Sequence, residues 1–271
     1  MTSLIVGIRF SEGGKTYHFD ASACPDLQVE DFVIVETSRG KQLGRIALIS
    51  SPEELSGDHN WKPILRKATP RDLVLRQVWE EKEAQALTHC QELAEGYGLE
   101  EVKFVSAEYS LEGQNLIFLY AYEGKGEPAL GGLLNDLRKE HADTNVELHR
   151  IGPRDAAKII GGMGACGKEI RCCTEFMTDF SPISIKMAKA QGVSLAPSEI
   201  TGMCGRLRCC LMHEHDLYVE AKKLLPNRGR QVRTPKGKGK VVRLDPLSRK
   251  VVVDLGESGL HEFDHQEVET G

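Results

Sequence analysis

Six of the chain's eight cysteines lie between Cys166 and Cys210, in two segments that nearly repeat one another. The first runs Cys166-Gly-Lys-Glu-Ile-Arg-Cys172-Cys173, and the second Cys204-Gly-Arg-Leu-Arg-Cys209-Cys210. Each opens with Cys-Gly, carries interior basic residues (Lys168 and Arg171; Arg206 and Arg208) and closes on Arg-Cys-Cys. Clustered thiols in a reducing compartment bind metal or do redox chemistry more often than they form disulfides. The ligating species is the thiolate, which neighbouring Lys or Arg and a helix N-terminus stabilise. A helical-looking run, Arg206–Leu225, would set Cys204 near the positive end of such a helix.

Ligand type and number narrow the chemistry. A cubane iron–sulfur cluster takes four thiolates, so six cysteines complete one site and leave two over. Two clusters would have to be completed by a partner's cysteines or another ligand. Neighbouring residues on a helix point about 100° apart, so Cys209 and Cys210 are not expected to bind one metal atom together. Zinc is the competitor: it uses Cys and His, and His213 and His215 follow Cys210 closely. C-x2-C knuckles, the usual zinc spacing, are missing. Unmetallated thiols are the third reading. Cys24 and Cys90 stand apart, and Cys90 falls on the apolar face of a helix, where a small buried hydrophobe is expected. Between the cysteine segments, Pro182 sets a turn before a short helix, Ile183–Ala190, with Lys186 and Lys189 on one side. Those lysines either offset an anionic cluster or face solvent on an ordinary amphipathic helix.

The elements that must position these thiols read as α+β. The sequence predicts four regions: an N-terminal small β-barrel-like domain (1–65), an α+β domain (66–160), a Cys-rich metal-binding segment (161–225) and a C-terminal SH3-like β module (226–271). In the first, strands Leu4–Phe10 and Tyr17–Asp20 flank the turn Glu12-Gly13-Gly14-Lys15, and Phe32–Thr37 and Gln42–Ser50 flank Arg39-Gly40. A polar linker, Ser51–Thr69, follows. Thr69-Pro70-Arg71-Asp72 opens a helix whose apolar face runs through Leu75, Trp79, Ala86, Leu87, Cys90, Leu93 and Tyr97. Strands Val102–Tyr109 and Leu116–Tyr122, a helix near Ala129–His141 and a strand Val146–Ile151 complete an α-β-β-α-β order. That order predicts helices on one face of an antiparallel sheet.

Charge is unevenly spread. Between Ala221 and Lys250 there are eleven Lys/Arg against one acid, Asp245; from Val251 to Gly271 there are six acids and no Lys/Arg. The basic stretch is a contact for an acidic protein or a nucleic-acid backbone, or simply solvated strands and turns. No apolar run is long enough to span a bilayer, and Met1-Thr-Ser-Leu-Ile-Val lacks the basic start of a signal peptide, so a cytoplasmic protein is expected. No C-x-x-C, Walker or dinucleotide fingerprint occurs, and the run Gly161-Gly162-Met163-Gly164 lacks the Lys-Ser/Thr of a phosphate loop. A catalytic role is not expected.

The cysteine segments, together with Asp179-Phe-Ser-Pro-Ile-Ser-Ile-Lys-Met-Ala-Lys189, Ser194-Leu195 and Gly202-Met203, resemble the YaaT/RicT family, as do Val6–Phe10 and Val33–Thr37 near the start. The resemblance implies a non-catalytic subunit of a ternary complex with two small partner subunits and [4Fe–4S] clusters. It implies that the complex directs the endoribonuclease RNase Y in messenger RNA processing and, in sporulating bacteria, affects developmental decisions. Carried over, Cys166, Cys172, Cys173, Cys204, Cys209 and Cys210 are the implied cluster ligands. The first segment has one residue more between Cys166 and Cys172 than the family's spacing. A zinc-stabilised, direct RNA-binding protein is the alternative.

Overall fold

The computed structural model describes residues 4–11, 14–50 and 61–270; the start of the first predicted turn and most of the predicted linker lie outside these. The architecture is α+β with three sheets. The chain divides into two compact units, Met1–Asp179 with Met203–Arg206, and Phe180–Gly202 with Leu207–Gly271. Among the described residues, no helix is long and apolar enough to cross a membrane.

The first unit opens with β1 (Ile5–Arg9), β2 (Tyr17–Asp20), β3 (Phe32–Thr37), β4 (Gly40–Ser50) and β5 (Ile64–Lys67), an antiparallel sheet in the order β2-β1-β4-β3-β5. Alternation in these strands sends Val6, Ile8, Val33, Val35 and Ile46 into one core. The edges meet at one point: Asp20 bridges Pro63 and its N–H donates to the Lys62 carbonyl at 2.9 Å, curling the sheet into a half-barrel. Strand β5 corrects the expected polar linker. Only Ile64 of its four residues is buried, so the hydrophobic signal of this edge strand was a single residue.

Next comes α1 (Pro70–Gly96), followed by β6 (Val102–Tyr109), β7 (Asn115–Tyr122), α2 (Gly131–Glu140) and β8 (Asn145–Arg150). Asp72 accepts hydrogen bonds from the Thr69 N–H and hydroxyl at the start of α1, as the Thr-Pro-Arg-Asp sequence predicts. Ala86, Cys90 and Ala94 of α1 and Leu133 and Leu137 of α2 pack with Phe104, Leu116 and Phe118. Trp79 stacks on Tyr109 with ring centroids 4.7 Å apart, and its indole N–H donates to the Leu111 carbonyl.

The sheet departs from expectation in direction. β6 and β7 are antiparallel, but β8 runs parallel to β7, because α2 carries the chain back across the sheet as a crossover. Its helices are also not confined to one face. Ile117 and Leu119 of β7 are buried opposite Leu116 and Phe118, and α3 (Pro153–Ile160), which the sequence reading missed, contacts β6 and β7. The first unit closes with a short α4 (Cys172–Glu175).

In the second unit, α5 (Ile185–Gln191), α6 (Pro197–Ile200), α7 (Cys210–His213) and α8 (His215–Lys223) precede a sheet. Ala188, Ile200 and Leu211 form a small helical core. The sheet comprises β9 (Gln231–Thr234), β10 (Gly237–Asp245), β11 (Lys250–Asp254), β12 (Leu260–Asp264) and β13 (Glu269–Thr270), in the order β12-β11-β10-β9-β13. Val232, Val241, Val251, Val253 and Phe263 close its core.

Candidate metal centre

The first cysteine segment is tied down by its arginine. Arg171, just before Cys172-Cys173, donates its guanidinium to the Ala157 carbonyl of α3 and to the Met163 carbonyl, and the Thr174 hydroxyl donates to the Lys158 carbonyl. Between these anchors the loop turns on itself: the Gly164 N–H donates to the Lys168 carbonyl and the Gly167 N–H to that of Gly164. Gly167 sits at φ +86°, the left-handed region that glycine enters without a Cβ penalty. Cys172 and Cys173 then begin α4. Cys166 is exposed, Cys172 half-buried and Cys173 buried.

The second segment repeats the glycine, the arginine clamp and the helix start. Gly205 is at φ +72°. Arg208, just before Cys209-Cys210, donates to the Thr201 and Ser198 carbonyls, while its own N–H donates to the Ile200 carbonyl. The carbonyls of Cys209 and Cys210 accept from the His213 and Glu214 N–H groups, opening α7. The sequence repeat is therefore a structural one: a left-handed glycine after the first cysteine, an arginine clamped to upstream carbonyls, and a cysteine pair at a helix start. The arginine clamps were not legible as such, because carbonyl partners leave no signature in side-chain sequence.

One expectation is corrected. The run Arg206–Leu225 is not one helix: Leu207 forms an isolated bridge with Thr201, helix begins at Cys210, and a break at Glu214 separates α7 from α8. Cys204 thus lies in irregular chain, and the residues at the helix start are Cys209 and Cys210.

Charge around the first segment is specific. Lys168 pairs with Glu175 and lies 5.3 Å above the Phe176 ring. Its ammonium is held above the ordinary lysine range first by the Glu175 hydrogen bond, then by the Glu175 charge and the nearby Cys172 and Cys166 thiols. Cys90, by contrast, is fully buried, and desolvation pushes its thiol up to about 12, which suits a core hydrophobe. Cys24 is half-buried beside the N-terminal core.

Cys166, Cys172, Cys173 and Cys204 belong to the first unit, and Cys209 and Cys210 to the second. Cys204 and Gly205 line a cavity of about 800 Å³ with Arg171 and the Ala156, Ala157 and Ile160 side of α3. His213 is exposed and His215 half-buried. In its donor chemistry the cysteine set suits iron–sulfur or zinc ligation. Among the described residues, no three His, Cys, Asp or Glu side chains are grouped to hold a metal ion.

Comparison with known proteins places the chain. Residues 62–151 match the PSP1 C-terminal conserved region, and residues 182–225 match the third domain of PSP1-like proteins. Stage 0 sporulation protein YaaT of Bacillus subtilis (strain 168) is 36% identical over 255 residues, covering 93% of this chain and 90% of that protein. The chain belongs to the YaaT/RicT family. No solved structure matches it. The match at 182–225 contains Cys204, Cys209 and Cys210, and the match at 62–151 spans α1 through β8.

Proposed function

We propose that this chain is a non-catalytic regulatory subunit with a sporulation-related role, whose six clustered cysteines ligate [4Fe–4S] within an assembly of two small partner subunits. In this reading the complex modulates RNase Y-dependent messenger RNA processing in the cytoplasm. The observation that carries it is the structural equivalence of the two Cys-Gly…Arg-Cys-Cys segments, where arginine clamps fix the backbone and leave thiols as the distinctive side chains. Membership of the family of a protein named for sporulation supports the developmental part. Because no three ligands are grouped among the described residues, the reading calls for ligands from another chain or for the segments to draw together on binding. The last sheet is read as an SH3-like module, and the four sequence regions as its domains.

Complementation tests the role. In a Bacillus subtilis strain lacking YaaT, this chain is expected to restore spore formation, and a variant with all six cysteines changed to Ser to fail while accumulating to the same level. Full restoration by the serine variant would remove the thiols from the function.

A further inference from the structure

The second unit's sheet is divided by charge. Residues whose side chains leave the core alternate with Val232, Gly239 and Val241, so Arg233, Lys238 and Lys240 share the outer face of β9 and β10. A register shift between Val241 and Arg243 then sets Arg243 opposite Val252 and Leu244 opposite Val251. Since Val251 is buried and Leu244 packs on the core, the bulge returns Arg243 to the outer face, in line with Lys238 and Lys240.

These four cations are exposed. Among the described residues none of them makes an ion pair or side-chain hydrogen bond, although Arg233 faces Glu269 and Lys240 faces Asp254 in the strand pairing. Three acids of β11 and β12 are already engaged. Glu262 holds Lys250 at 2.6 Å, Asp254 accepts from the Gly256 N–H, and Asp264 accepts from the Gln266 N–H. Arg233 and Lys238 stand directly opposite one another, a like-charge pair that costs a sheet stability. Folding alone gives no reason for that arrangement. A polyanion laid along β10 would.

We infer that the outer face of β9 and β10 binds the phosphate backbone of single-stranded RNA. A protein partner is disfavoured because its affinity would need buried aromatic or apolar anchors, and no exposed large apolar residue lies on these two strands. The face carries no aromatic on which bases could stack, so the binding is sequence-independent and governed by salt. The inference extends the proposed role in messenger processing, but its readout does not depend on the cysteines.

The test is titration of labelled oligouridine with the full chain over a range of salt. Four phosphate contacts give a slope of log K against log salt of about −3, from roughly −0.7 per contact on single strands. Lys238→Gln with Lys240→Gln is expected to halve that slope and weaken binding at low salt about tenfold or more, as is Arg233→Gln with Arg243→Gln. Lys62→Gln with Lys125→Gln, in the first unit, is expected to leave both unchanged. Oligodeoxythymidine should bind about equally, and polyglutamate of equal charge should compete poorly. The inference is overturned if wild-type chain does not bind at low salt, if both outer-face variants bind as wild type does, if DNA is strongly preferred, or if polyglutamate competes as well as RNA. The six-serine variant should bind RNA normally, so failure of the cluster reading and failure of this one give different results.

Discussion

Asp72 shows how a residue near a helix start can hold two elements at once. Both oxygens of its carboxylate accept from Arg66 of β5, at 2.6 and 2.9 Å, and one also accepts from Thr69. The Arg66 hydrogen bonds, ahead of the contacts with Thr69, hold its pKa well below the ordinary carboxylate range. A depressed folded-state value stabilises the fold above the unfolded value, near 4, and that contribution disappears as pH falls through the folded value. Asp72→Asn is therefore expected to cost about 2 kcal/mol at neutral pH, with the gap from wild type closing on acidification; urea unfolding at several pH values checks this. A gap that widens toward acid would contradict it. Cys90 makes a second residue-scale case. Its burial and raised thiol mean that iodoacetamide at mildly alkaline pH should label exposed Cys166 in the folded protein and reach Cys90 only after unfolding, as peptide mass spectrometry would show. Both roles were partly legible: Thr-Pro-Arg-Asp marks a helix start, and Cys90 falls on the apolar face. The Arg66 partnership was not, since β5 offers only one buried residue.

Elements with many like-minded residues were readable, while those decided by single backbone positions were not. Strands β2, β3 and β6 match their expected bounds, because alternation over several residues fixes a face. The direction of β8 depends on the path of α2, which periodicity does not record. The predicted helix over Arg206–Leu225 failed at Leu207, which is bridged to Thr201, and again at Glu214, where α7 ends. At Gly167 and Gly205 a Cβ would meet nothing within 4 Å, so substitution is opposed by backbone conformation alone. Gly167→Ala and Gly205→Ala are each expected to cost about 1–2 kcal/mol. Gly131→Ala, also in open space but at a helical φ, is expected to be neutral or slightly stabilising. Urea midpoints of the three variants make the comparison. Equal effects would remove the argument that the two Cys-Gly turns are held by glycine.

Across the whole molecule, the thiols and the charges are organised separately. The cysteine positions were fully legible, and so was their division into two near-repeats. Their distribution between compact units, four in the first and two in the second, depends on tertiary placement of Met203–Arg206 that no local pattern encodes. The same holds for the basic outer face, whose alignment rests on a bulge in β10. The central claim is that the repeated cysteine segments hold iron–sulfur in the assembled complex. The most direct measurement is iron, sulfide and zinc content, with the absorption spectrum, of the chain purified anaerobically together with its partner subunits. The account predicts brown protein with iron and sulfide in equal amounts, as a [4Fe–4S] cluster requires, lost on changing Cys204 or Cys209 to Ser. Colourless complex with stoichiometric zinc and no sulfide would contradict it.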